Sequence, residues 1–288
     1  MTAPCVVYYP ASDFALSAAV ARDLLGLSEQ DGSWMEVLEN YCLSPQEKSA
    51  QTPGKVHEKV RKCESLCSLY EKLIEQVVGP HVLAEFNAAL GDDEAAETVL
   101  LYQFPPTLRI FCSMQCASKM AEEDDRETVT TGYKCLGRLH NDAQYGHQPG
   151  EMNFWLPLTR LTASNTLWAE SSEGCGDFMP VLLDELGYDS PWASHHECAS
   201  GVLPIQRFHG TLCRHHTQPN SSGRTRVSLD FRLSPKSAFD ATWKLPGLVH
   251  RHEMREISFE LSEILHRAMP QEAFRQSRNS SALTSTAK

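Results

Sequence analysis

The segment Thr225-Arg226-Val227-Ser228-Leu229-Asp230-Phe231-Arg232-Leu233 alternates strictly between polar and apolar side chains. A period of two is the repeat of a β-strand, whose successive side chains point to opposite faces. Val227, Leu229 and Phe231 then pack into a core, and Arg226, Ser228, Asp230 and Arg232 share the other face. A polar strand face with an inward arginine is what a co-substrate pocket inside a barrel requires.

Shorter runs of β-forming residues precede this strand from Val99 to Phe104, Leu108 to Cys112, Met152 to Leu158 and Thr166 to Glu170, divided by Pro, Gly, Ser and Asn clusters. That texture predicts an all-β sandwich or jelly roll. The first ninety residues read differently. Ser12 to Leu27 is rich in Ala and Leu, and Val60, Cys63, Cys67, Tyr70, Ile74 and Val77 recur at helical spacing. Gly79-Pro80 punctuates that run before a restart from Val82 to Leu90. Ile257, Leu261, Ile264 and Leu265 fall along one face of a C-terminal helix, and Glu122 to Glu127 reads as a solvated acidic loop. The expected organisation is a helical part over 1–95 packed on a barrel, a catalytic core over 96–245, a C-terminal helix over 246–270 and a flexible tail over 271–288.

A formal charge of −11 over 288 residues sets the surface against phosphate backbones and anionic lipid, so neither nucleic acid nor membrane is an expected partner. No apolar run approaches the roughly 20 residues that span a bilayer, and the first thirty lack the pattern of a signal peptide. The expected location is the cytoplasm. The ten cysteines contain no C-x-x-C pair, which argues against a zinc ribbon or a disulfide framework and for small buried apolar groups.

His140 and Asp142 stand two residues apart, so on a strand or strand end both point the same way. One imidazole and one carboxylate are two-thirds of a facial metal triad, and His209, His215 and His216 compete for the third place. His215 and His216 point to opposite faces of a strand, so one of them enters the barrel. Counting from His215, Asn220 lies at +5 and Arg226 at +11. A guanidinium at that remove meets a dicarboxylate as a two-pronged fork.

In this order, His140-x-Asp142, Phe154-Trp155-Leu156-Pro157-Leu158-Thr159, Ser164-Asn165-Thr166-Leu167-Trp168, and His215 with Asn220 and Arg226, the sequence resembles the phytanoyl-CoA hydroxylase-like branch of the iron(II)/2-oxoglutarate dioxygenases. Within it, the run from His140 through Tyr145, His147 and Glu151 is similar to a group related to a streptomycin-biosynthesis protein. The resemblance covers roughly Thr107 to Leu233. It implies a mainly β fold with flanking α, a double-stranded β-helix (cupin-like jelly roll) with an N-terminal helical layer. It implies Fe(II) held by His140, Asp142 and His215, with 2-oxoglutarate and O2 as co-substrates. Arg226, with Asn220, Trp155 and Ser228, is then expected to hold 2-oxoglutarate. Related halogenases lack the carboxylate, so Asp142 favours hydroxylation or another oxygen-type oxidation.

Asn153 and Trp155 share one strand face, and Thr166, Trp168 and Glu170 another, so these side chains, with Asn165, are expected beside the metal. Such a lining suits a small polar or amine-bearing substrate. Tyr145, His147 and Glu151 serve as a lid or as support for the ligands, and Arg109 as a grip on an anionic substrate group. His195, His196, His250 and His252 read as loop and helix-start residues. Two other functions remain open: a metal- or ligand-binding jelly roll without catalysis, and an oxygenase acting on a protein side chain. The expected assembly is a monomer or homodimer.

Overall fold

The computed structural model describes residues 5–28, 33–42, 53–90, 95–114, 138–182, 202–243 and 252–268. The acidic run Glu122–Glu127, the histidines at 195, 196 and 250, and the tail over 271–288 lie outside them. Strand β1 (Cys5–Pro10) leads into α1 (Leu16–Ala18), which widens into a π-helical turn over Ala19–Leu24. Helix α2 (Trp34–Glu39) starts on a capping box in which the Ser33 hydroxyl accepts from the Glu36 N–H and the Glu36 carboxylate accepts from the Ser33 N–H. Helices α3 (Pro53–Lys62), α4 (Glu64–Leu73) and α5 (Gly79–Leu90) follow.

Gly79-Pro80 does not break the helical run. A π-helical segment, Ile74–Val78, carries the chain from α4 into α5, a widening that suits a proline with no N–H to give to the preceding turn. Gly79 admits no side chain, because a Cβ there would stand 2.7 Å from the Ile74 carbonyl oxygen and 2.8 Å from the Phe259 ring.

The remaining strands are β2 (Val99–Phe104), β3 (Thr107–Phe111), β4 (Met152–Pro157), β5 (Leu167–Ala169), β6 (Met179–Pro180), β7 (Val202–Phe208), β8 (His215–Thr217), β9 (Arg226–Pro235) and β10 (Glu253–Ser258), with α6 (Leu261–Ala268) last. They form a seven-stranded antiparallel sheet in the order β1-β7-β4-β9-β2-β10, with β3 also on β9, and a three-stranded sheet in the order β6-β5-β8. The fold is mostly antiparallel β with flanking helices. No described helix is long and apolar enough to cross a membrane.

The alternation along β9 is realised in packing. Val227, Leu229, Phe231 and Leu233 join Leu100, Phe154 and Leu156 of neighbouring strands and Leu66, Tyr70, Ile74 and Leu83 of the helices in one core. Tyr70 packs edge-on against Phe231 at 5.2 Å between ring centres, and its hydroxyl donates to the Gln103 carbonyl at 2.7 Å. Full burial of side chains this size is worth about 1.5–3 kcal/mol each. Strand register places Phe111 opposite Arg226, Arg109 opposite Ser228, Trp155 opposite Asp230 and Asn153 opposite Arg232. Directly opposed residues share a face. The side of the large sheet turned from the helices is therefore polar and aromatic.

Three expectations need correction. The 1–95 part is not wholly helical, since Cys5–Pro10 pairs with β7 as an edge strand. Ile257 belongs to no helix: it sits in β10 opposite Leu100, and the last helix begins only at Leu261. Its helical spacing yields to the exposed edge of β2, whose backbone groups need a partner. The sheet thus draws strands from both sides of the 96–245 span. Finally, Cys42 is disulfide-bonded, whereas Cys63, Cys67 and Cys213 are free and buried as expected, and Cys112 is buried as well.

Candidate metal centre

His140 and His215 face each other across an antiparallel bridge, each backbone N–H donating to the other's carbonyl, at 3.1 and 2.8 Å. Two residues on, Asp142 opens a 3-10 turn (Asp142–Tyr145) that the Asn141 side chain caps by accepting from the Gln144 N–H. The Asp142 N–H donates to the Gly210 carbonyl at 2.8 Å, which ties the turn to the loop after β7. Local chain geometry thus delivers two imidazoles and a carboxylate to one point.

One ligand atom from each of His140, Asp142 and His215 lies within 4.8 Å of the others. Asp142 Oδ1 stands 3.6 Å from His140 Nε2 and 3.5 Å from His215 Nε2. Donors at such spacing admit an ion at about 2.0–2.2 Å from each. The tautomers agree. Nδ1 of His140 donates to the Arg138 carbonyl at 2.6 Å and Nδ1 of His215 to the Cys213 carbonyl at 3.2 Å, and because carbonyls only accept, both Nε2 atoms keep free lone pairs. Burial and the neighbouring His215 hold His140 below the usual imidazole range, which favours the neutral, ligating form.

Asp142 is 3% exposed. Burial pushes its carboxyl up, but Arg232 and His215 outweigh that and hold it well below the usual carboxylate range. Its Oδ2 accepts from Arg232 Nη2 at 2.7 Å and from the Asn153 amide, which leaves Oδ1 turned to the two imidazoles. Arg232 is itself braced by Gln103 Oε1 at 3.2 Å, and its Nε lies 3.9 Å from a Glu151 oxygen that also accepts from His147 Nδ1 at 2.6 Å. Gly210 makes room for this clamp: a Cβ there would stand 2.7 Å from Asn153 Nδ2. Replacing Arg232 with methionine should lower affinity for cobalt(II), measured by titration, about 10–100-fold, with partial recovery in Arg232→Lys. Unchanged affinity would show the clamp to be idle.

Arg226 is 5% exposed and lies over the Phe111 ring at 4.9 Å and the Trp155 ring at 5.6 Å. Nη1 donates to the Asn165 carbonyl at 3.0 Å, whereas Nε has no partner, and among the described residues no carboxylate pairs with it. Burial, with Arg109 nearby, pulls its pKa down to about 10 despite Asp230. Ser228, next along the same strand face, is fully buried with its hydroxyl unpartnered. Such orphaned polar atoms mark a place where a ligand completes the bonding.

The other expected site residues divide. Asn153 and Trp155 share one face of their strand, Asn153 bonding Asp142 and Trp155 lying against Arg226. Tyr145, 45% exposed, packs edge-on to His140 at 5.0 Å and stands at the rim. Arg109 Nε donates to Asp230 Oδ2 at 2.9 Å on the same face. His147 stacks on His252 at 5.4 Å and supports the clamp through Glu151. Asn220 is engaged elsewhere, its amide donating to the carbonyls of Phe111 and Arg224 and its oxygen accepting from Ser222, so it braces the loop before β9. Asn165 likewise holds its own turn through Thr162 and gives Arg226 only its backbone oxygen.

Trp168 and Glu170 are corrected. Ala169, not Trp168, pairs with His215, while Trp168 pairs with His216 and stacks on it, so both point away from the metal ligands. Glu170 is closed in an ion pair with Arg214 at 2.5 Å and accepts from the Gly176 and Arg214 N–H groups. His209 follows β7 and lies outside the triad. Arg232 was readable as a polar-face residue, but nothing in local spacing links it to Asp142, ninety residues earlier.

No protein-family model matches the chain. A stretch of 105 residues is 29% identical to the streptomycin biosynthesis protein StrG of Streptomyces griseus, spanning 36% of this chain and 41% of that protein's length. Among solved structures, a non-heme monooxygenase, the ThoJ–Ni complex, aligns over 96% of this chain and 94% of its own, with 16% identity and a TM-score of 0.31. The apo form of ThoJ aligns with 14% identity over 96% and 95% of the two chains and a TM-score of 0.28.

Proposed function

We propose that this chain is a mononuclear non-haem iron(II) oxygenase that uses 2-oxoglutarate and O2 to hydroxylate a small polar metabolite, on a double-stranded β-helix made from its two sheets. One observation carries the reading. The Nε2 atoms of His140 and His215 and Oδ1 of Asp142 converge on one point, and a buried Arg226, with no carboxylate partner among the described residues, lies on the sheet face whose Asn153 and Arg232 bond Asp142. His140, Asp142 and His215 would hold iron(II), which with 2-oxoglutarate and O2 would supply oxidative decarboxylation to succinate and CO2 coupled to oxidation of the substrate.

The chain's residues bind, orient and exclude water. Arg226 and Ser228 take the distal carboxylate of 2-oxoglutarate, satisfying Nε and Oγ that otherwise stay unpaired. Phe111 and Trp155 shut water out around that ion pair, which strengthens it in the low-dielectric interior. Asn153 and Arg232 hold Asp142 so that one oxygen, not two, faces the ion, keeping the remaining positions free. Tyr145 and Arg109, exposed at the rim, meet the polar substrate. The similarity to a streptomycin biosynthesis protein supports a place in small-molecule metabolism.

The test is turnover of 2-oxoglutarate. Purified protein with iron(II), ascorbate and O2 should release succinate slowly without a substrate and faster when a metabolite extract supplies one. No succinate, together with no 2-oxoglutarate binding, would leave only a ligand-binding jelly roll. Succinate stimulated by intact proteins but not by small molecules would move the substrate to a protein side chain.

A further inference from the structure

At the edge of the large sheet the first residue of β1 meets the first turns of α5, and three donors of different chemistry come together there: Cys5 from the strand, and His81 and Glu85 from successive turns of the helix. Residues four apart share a helix face, so His81 and Glu85 present one nitrogen and one oxygen to the strand together. All three donor atoms lie within 4.8 Å of one another. His81 Nε2 stands 3.8 Å from Cys5 Sγ and 3.3 Å from Glu85 Oε1. For bonds of about 2.3 Å to sulfur and 2.0–2.1 Å to nitrogen and oxygen, a tetrahedral ion separates its donors by roughly 3.3–3.6 Å. The three groups therefore stand close to the spacing a zinc-like ion imposes.

The carboxylate is prepared as it is in the first centre. Arg207, directly opposite Cys5 in the strand register, donates to Glu85 Oε2 and leaves Oε1 turned to the imidazole. In the first centre Arg232 takes Asp142 Oδ2 and leaves Oδ1 to its two histidines. The Cys5 strand is anchored as well, its carbonyl accepting from the Gln206 amide at 3.0 Å.

We propose that Cys5, His81 and Glu85 form a second metal site, separate from the oxygenase centre, for a borderline-soft divalent cation of the zinc class. The thiolate selects such an ion over magnesium or calcium, whose preferred donors are oxygens. Three protein ligands leave a fourth position for water, and the ion links the edge strand to the helix, which blunts an open sheet edge.

Cobalt(II) alone is the probe. The wild-type chain should take up two equivalents, one of them with the intense near-ultraviolet absorption of a thiolate–cobalt bond. Cys5→Ser should lose that absorption and one equivalent, and His81→Gln should weaken the same equivalent by at least the roughly tenfold that an outer-shell partner is worth. Asp142→Ala should keep the absorption, which separates this site from the first. A wild type with no thiolate–cobalt absorption, or absorption that persists in Cys5→Ser, overturns the proposal.

Discussion

Replacing Asp142 with alanine is expected to abolish 2-oxoglutarate turnover while the chain stays folded. The carboxylate is the anionic group of the proposed triad, and its Oδ1 lies 3.5 and 3.6 Å from the two imidazoles. Outer-shell partners already contribute about 10–100-fold to metal affinity, so losing a direct ligand should cost more than about a hundredfold. Stability should fall too, because Arg232 is left buried without the charge it donates to at 2.7 Å. Breaking a buried pair by removing one partner typically costs about 3–5 kcal/mol. Circular dichroism should show an unchanged spectrum and a lower Tm, and iron titration should show the lost affinity. Full turnover in this variant would remove Asp142 from the centre.

The second large effect is expected at Arg226 and runs in two directions. Arg226→Met removes the cation proposed to hold the co-substrate, and truncating one partner of a buried charge-paired contact costs about 2–5 kcal/mol. The KM for 2-oxoglutarate should rise roughly 30-fold or more. Without co-substrate the same change should raise the Tm, because it replaces a 5% exposed guanidinium that has no carboxylate partner among the described residues with an apolar side chain that fills the space between Phe111 and Trp155. A residue kept for packing alone would show neither the rise in KM nor the gain in Tm. Unchanged KM for 2-oxoglutarate, measured with iron(II) saturating, would contradict the assignment.

Local periodicity disclosed much of this. The two faces of β9 follow from alternation alone, and that alternation is what divides the core of Tyr70, Phe154 and Phe231 from the polar side with Arg226 and Arg232. His140 and Asp142 were readable as a pair because two residues on an extended chain share a direction. The edge strands were not readable. Ile257 with Leu261, Ile264 and Leu265 satisfies a helical period, yet the backbone of β2 draws Glu253–Ser258 into the sheet. The side that Trp168 faces is not legible in the sequence, because a face is known only relative to a partner strand. Its pairing with His216 rather than His215 turns the whole set of Thr166, Trp168 and Glu170 away from the ligands. The clamp of Arg232 and Asn153 on Asp142, like the meeting of Cys5 with His81 and Glu85, joins residues far apart in sequence, which no local pattern encodes.

The central claim is that His140, Asp142 and His215 hold one iron(II) beside a 2-oxoglutarate anchored by Arg226. Anaerobic addition of 2-oxoglutarate to the iron(II)-loaded chain tests it most directly, since chelation of a ferrous ion by a 2-oxo acid produces a visible charge-transfer absorption. One such complex per chain is expected, absent in Asp142→Ala and needing much higher 2-oxoglutarate in Arg226→Met. No visible absorption in the wild-type chain, or absorption that survives loss of Asp142, would contradict it.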